Sequence, residues 1–149
     1  MSDEKKPHLR PRISFVTLGV SDLEKSRTFY TSMGLSEHSR SNTGVAFFDM
    51  GGIIFSLYPR TLLAKDASSL CGDSEKGILT SLSQNVEHED EVTQLLRRAE
   101  ELGGRIVEPA GTPPWGGRRG YFADPDGFIW EVAWNPKVKL DSNGRVQFD

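Results

Sequence analysis

Over residues 13–20 the chain is mostly apolar or β-branched, with Phe15, Thr17 and Gly19 interleaved with Val16, Leu18 and Val20. That pattern predicts a strand. Ser21, followed three residues later by Glu24, has the form of a capping box, so a helix is expected to open there. Its inward face would carry Leu23, Ser26, Tyr30 and Met33, and Gly34 would end it. A short strand at 36–39, a Ser-Asn-Thr-Gly turn, and strands at 45–48 and 53–58 about a Met50-Gly51 turn complete a βαβββ unit.

The second half repeats the order. Residues 78–86 read as a strand, and 89–102 as an amphipathic helix with Val92, Leu95, Leu96, Ala99 and Leu102 at helical spacing, stopped by Gly103-Gly104. A strand at 105–108 and a Pro/Gly loop at 109–117 follow, then a hairpin of 120–123 and 128–135 about Asp124-Pro125-Asp126-Gly127. The expected fold class is therefore α+β: two βαβββ modules forming a curved mixed sheet around a cavity, with helices on the outer face. A ligand would enter the concavity.

The boundaries follow from composition. Residues 1–12 are polar and are expected to form a flexible tail, 13–59 the first module, 60–76 a connector, 77–136 the second module, and 137–149 a polar C-terminal tail. At 149 residues, two modules of roughly 60 residues each are expected to pack as one structural domain over 13–136. A formal charge of −3 from interspersed charges of both signs lacks the basic stripe of a nucleic-acid binder. Apolar runs of about eight residues fall far short of the ~20 that span a bilayer. No apolar leader precedes the first strand, so a cytoplasmic protein with no membrane partner is expected. Cys71 is the only cysteine, which excludes an internal disulfide and a thiolate-rich metal site.

The two modules differ where chemistry would be expected. Aligned on Gly52 and Gly127, the apolar positions of the two hairpins coincide and Ser56 falls opposite Glu131. Strand alternation puts Glu131 on the inner face with Ile129 and Ala133, while Phe128, Trp130 and Val132 face the helices. Glu131 is either a ligand-binding or acid/base carboxylate or a buried acid paired with a cation such as Arg119. By the same alternation Phe15 and Thr17 share a face, and Phe47, expected opposite Ile54, points with Ser56 and Tyr58. Such aromatics line an organic-ligand pocket or simply fill space between modules. Trp115, followed by Gly116-Gly117-Arg118-Arg119, is either a lid with a cation or a packed plug. The acids of the Asp124–Gly127 turn are expected to cap and bend the backbone. His8, His38 and His88 lie in the tail, on the short second strand and at a helix start, where a solvated or capping role suffices.

The segments from Ser14 to Tyr30, with Asp22, Ser26, Phe29 and Tyr30, and from Gly120 to Val132, with Asp124, Gly127 and Glu131, resemble the two signatures of the vicinal oxygen chelate superfamily. That superfamily includes glyoxalase I, extradiol dioxygenases and bleomycin-resistance proteins, and the resemblance covers about residues 12–136. It also suggests Arg119 and Tyr121 for the inner face of the second hairpin and a homodimer as the assembly. It implies a divalent metal held by His, Glu or Gln side chains, one from each first strand and one from each last strand. The positions here are Phe15, Ser56, Thr80 or Ser81, and Glu131, of which only the last matches. The expected reading is a small-organic-molecule-binding protein without metal or other cofactor, with Phe15, Thr17, Phe47, Ser56, Tyr58, Trp115, Arg119 and Tyr121 as binding residues. The alternatives are a metal-independent enzyme using Glu131 as acid or base, and a glyoxalase- or dioxygenase-like metalloenzyme.

Overall fold

The structure is a computed structural model that describes residues 13–67 and 81–147. The first module contains β1 (Phe15–Val20), α1 (Leu23–Ser32), β2 (Ala46–Asp49) and β3 (Ile54–Pro59), followed by α2 (Arg60–Ala67). The second contains β4 (Leu82–Asn85), α3 (Asp90–Glu101), β5 (Arg105–Gly111), β6 (Arg118–Ala123) and β7 (Ile129–Trp134). Each module has its own mixed sheet, ordered β1-β3-β2 and β4-β7-β6-β5, with the first strand parallel and the remaining pairs antiparallel. The α+β class and the two βαβββ-like modules are as the periodicity predicted. The strand expected at 36–39 is reduced to a single bridge between Glu37 and Phe48.

Local chemistry departs from expectation in three places. The cap of α1 is Asp22, not Ser21: its backbone is extended and its carboxylate accepts the Lys25 N–H at 3.0 Å. Ser21 instead turns toward the second module, giving its N–H and hydroxyl to Asp126. The β2–β3 turn is built on Gly51 and Gly52, whose φ values of 83° and 106° suit glycine and disfavour Met50. Asp49 ties it down by accepting the Gly51 N–H at 2.9 Å. The register therefore shifts by two: Phe47 lies opposite Ser56, and Asp49 opposite Ile54. Because the shift is even, Phe47 still points with Ser56.

The third departure lies in the connector, whose first part is the helix α2 packed onto β1. A Cβ placed on Gly19 would lie 3.1 Å from the Arg60 Cα, so the absence of a side chain there permits the approach. Cys71 and Thr80 fall outside the described residues, as does the start of the strand expected at 78.

A core of aromatic rings joins the modules. Phe29 and Tyr30 of α1, Phe48 and Phe55 of the first sheet, and Phe122 and Trp130 of the second form one buried cluster. The Phe122 and Trp130 rings stack 6.1 Å apart, 2° from parallel. Each such side chain contributes about 1.5–3 kcal/mol by leaving water. Polar groups inside the cluster are matched: Tyr30 donates its hydroxyl proton to the buried Asp124 at 2.7 Å and accepts the Trp130 indole N–H at 3.1 Å. The acids of the Asp124–Gly127 turn do shape the backbone, Asp124 accepting the Asp126 and Phe128 N–H groups. They also anchor the first module, since Asp126 accepts from the fully buried Ser26 hydroxyl at 3.0 Å.

The C-terminal segment, expected only as a polar tail, forms a small hairpin of β8 (Lys139–Leu140) and β9 (Val146–Gln147). No helix among the described residues is long and apolar enough to cross a membrane.

Candidate functional site

Alternation along the strands sorts each module into a helix-facing side and an inner side. On β7, Trp130 and Val132 are buried against the helices, while Glu131 faces inward with its side chain 24% exposed. Its lateral neighbours are Ser83 of β4 and Tyr121 of β6. Both donate to it: Ser83 Oγ to Oε1 at 2.9 Å and Tyr121 Oη to Oε2 at 3.1 Å. Arg119, two residues before Tyr121 and therefore on the same face, brings Nη1 to 3.9 Å from Oε2 and places its guanidinium 5.7 Å from the Tyr121 ring centre. Arg118 points the other way, toward α3 beside Glu89, Asp90 and Arg97.

These contacts define what the group can do. Burial and then the hydrogen bond and charge of Glu131 push the Tyr121 phenol upward, with Arg119 opposing, so Tyr121 keeps its proton at neutral pH and acts as a donor. The Arg119–Glu131 pair is loose and its side chains are 31% and 24% exposed, so it is neither a dry ion pair nor a large source of stability. Glu131 is an acceptor preorganised by two hydroxyls, with room for a further partner.

The matching site of the first module has the same layout and different chemistry. Ser56 lies between Thr17 of β1 and Phe47 of β2, as Glu131 lies between Ser83 and Tyr121. Its hydroxyl is 2% exposed by residue and meets Thr17 Oγ1 at 2.6 Å. Phe47 lies opposite Ser56, and Phe15 and Ile54 stand two residues along from the pair on the same face. These three line a cavity of about 300 Å3 together with His38 and Arg40, and Thr17 and Ser56 are not in its lining. Arg119, Tyr121 and Glu131 are not in that lining. Tyr58, the neighbour of Gly19 across β1 and β3, is partly buried at the α2 end of the sheet. Trp115, on the loop before β6, lies over Gly117: a Cβ on that glycine would come within 2.2 Å of the indole.

The structure thus gathers Phe15, Thr17, Phe47 and Ser56 on one inner face and Arg119, Tyr121 and Glu131 on the other. Ser83 is the residue that the sequence reading missed. The repeat contained the signal, since Ser83 stands to Glu131 as Thr17 does to Ser56, but seeing it requires the register of β4. One further step along that register puts Ser81 opposite Ile129, as Phe15 is opposite Ile54.

A chain of two βαβββ modules with equivalent inner faces is a paired-module α+β cradle. This one belongs to the Glyoxalase/Bleomycin resistance protein/Dioxygenase superfamily, whose family model matches residues 12–132. It is similar to a glyoxalase-related enzyme from Fulvimarina pelagi, at 35% identity over 93% of this chain and 99% of that one, with a TM-score of 0.83. A glyoxalase/bleomycin resistance protein/dioxygenase from Nocardioides is 25% identical over 99% of this chain and 96% of that one, with a TM-score of 0.69. Hypothetical protein SA1046 from S. aureus shares the fold, at 23% identity over 86% and 96% and a TM-score of 0.73.

The divalent metal implied by that family does not fit the side chains here. A phenyl ring at Phe15 has no donor atom, and the Ser56 hydroxyl is already engaged with Thr17. Neutral hydroxyls at Ser56 and Ser81 are weak ligands for a transition ion, which needs about three N, S or carboxylate donors. Among the described residues no group of three or more His, Cys, Asp or Glu side chains is placed to hold a metal ion.

Proposed function

We propose that the chain binds a small organic molecule on its inner faces without a resident transition metal. The observation that carries this reading is the first module's inner face, where Ser56, hydrogen-bonded to Thr17, stands in the place of Glu131 and the neighbouring Phe15, Phe47 and Ile54 line a cavity. An apolar floor with a few directed polar groups is the composition of an organic-ligand site. Glu131, Tyr121 and Arg119 offer an acceptor, a donor and a cation on the second face.

A second reading, a metal-independent enzyme, is favoured by the Tyr121–Glu131 hydrogen bond, which couples a proton donor to a carboxylate able to act as base. The protein is proposed to work as a homodimer. Supporting this, β1 and β4 are edge strands of their sheets, and such edges favour pairing between copies.

Elemental analysis of protein purified without chelator, together with mass spectrometry of molecules released on denaturation, tests the main reading. Less than a tenth of an equivalent of Ni, Zn or Fe is expected, with a saturable organic ligand recoverable from a library. One equivalent of metal whose removal abolishes an activity would overturn it.

A further inference from the structure

The cavity of the first module carries information on ligand class. Its floor is Phe15, Phe47 and Ile54, and the remaining lining residues are His38 and Arg40. The Phe15 and Phe47 rings meet edge to face, 6.3 Å apart at 66°, and Phe15, the first residue of the edge strand β1, is 57% exposed. About 300 Å3 is the lower end of the range for small-molecule pockets.

The rim is built rather than incidental. The loop that carries His38 and Arg40 is tied to the backbone of Phe47 on both sides: the His38 N–H donates to the Phe47 carbonyl at 2.7 Å, and the Phe47 N–H donates to Ser41 Oγ at 2.9 Å. The Arg40 N–H in turn donates to His38 Nδ1 at 3.1 Å. With Nδ1 accepting, the neutral imidazole carries its proton on Nε2, which is left as a donor. Among the described residues no carboxylate lies within ion-pair distance of the Arg40 guanidinium, so it is open to an anion, as are several other surface arginines. Asp49, opposite Ile54 on this face, interacts with His38 but is held by the Gly51 and Gly52 N–H groups, so the Arg40 cation remains as the group on the rim that complements an apolar body ending in an anion.

We infer that this cavity takes a flat, apolar carboxylate, with its body on Phe15 and Phe47 and its anion on Arg40 and His38. The inference rests on the small-molecule reading above and assigns the anion to the first module. The second face is less suited to an anion, because Glu131 and Glu108 both lie beside Tyr121 and would repel one, against the single cation of Arg119.

Titration of the 15N-labelled protein with 2-naphthoate and with its neutral isostere 2-naphthamide provides the test, in wild type and in Arg40→Gln. Arg40 is exposed, so the variant should melt with wild type. Naphthoate should move the His38, Arg40 and Phe47 amides and bind about tenfold more tightly than the amide, the worth of one charge-assisted hydrogen bond. Arg40→Gln should bring the two affinities together. Equal affinities in wild type would overturn the inference. So would shifts centred on Ser83, Tyr121 and Glu131, although the small-molecule reading would then stand. Shifts at Phe15 and Phe47 that grow with protein concentration alone would mean that a second copy covers this face, which also overturns it. Failure of both probes, together with failure of the library to yield any ligand, would remove both readings.

Discussion

Ser56 and Glu131 occupy the same position in the two modules: each lies on its central strand between a hydroxyl residue of the parallel neighbour and an aromatic residue of the antiparallel one. Thr17 and Phe47 flank the first, Ser83 and Tyr121 the second. The backbone frame is therefore shared and the chemistry is not. One site is a neutral hydroxyl pair in apolar surroundings, and the other is a carboxylate with two donors and a nearby cation.

Glu131→Gln tests what that carboxylate does. The side chain keeps its shape, and the Arg119 it leaves behind is partly solvated, so stability should change by no more than ~1 kcal/mol. Affinity for a ligand that donates to Glu131 should fall by ~1.5–3 kcal/mol. Thermal melts and calorimetry on the same samples separate the effects. A mutant that melts far below wild type but binds unchanged would show Glu131 to be structural.

Tyr30→Phe removes the hydroxyl that bridges the modules. Asp124 loses its buried donor and the Trp130 indole N–H loses its acceptor, at a cost of about 2–4 kcal/mol. Urea unfolding should show a lower midpoint with an unchanged slope. A midpoint equal to that of wild type would mean that water replaces the hydroxyl at no cost.

Asp124 gives the protein a specific pH response. Burial raises its pKa, against the hydrogen bonds from Tyr30 and from the Phe128 and Asp126 backbone that lower it. A carboxyl with a raised folded pKa binds more protons folded than unfolded, so its contribution to stability is greatest at low pH and declines as pH rises. The window opens near the ordinary carboxylate value of ~3.9 and closes at the higher folded value. Asp124→Asn lacks this titration, so wild type should lose stability relative to the mutant as pH rises through the window. A difference that stays flat from pH 3 to 7 would contradict the shift.

Gly120→Ala probes the link between packing and site. An added Cβ would meet Leu96 Cδ1 at 2.5 Å and the Glu108 carbonyl oxygen at 2.9 Å, and the second of these is backbone that cannot swing away. Overpacking of this kind costs about 1–3 kcal/mol. Because Gly120 lies between Arg119 and Tyr121, ligand binding at Glu131 should weaken as well. A stable variant with unaltered binding would show that β6 can shift freely.

Much of this arrangement is legible in the chain itself. The pleat alternates side chains with a period fixed by backbone geometry, so the inward face of Glu131 follows from sequence alone, while its company with Arg119 and Tyr121 was implied by the family resemblance and rests on the β6–β7 register. The two Gly turns align the hairpins and place Ser56 against Glu131, and the spacing of Val92, Leu96 and Ala99 sets the buried side of α3. Partners across the sheet are another matter. Ser83 meets Glu131 across 48 positions, and Tyr30 meets Asp124 across 94, and which pairs form depends on register and on how the modules pack. The sequence suggested Phe47 opposite Ile54 because Met50-Gly51 resembles a tight turn. The left-handed backbone at Gly51 and Gly52 moved the pairing by two residues and left the face unchanged. Local sterics thus determined which way each side chain points, and the tertiary structure decided what it touches, because contact energies between distant segments are realised only once the cores of both modules have closed on each other.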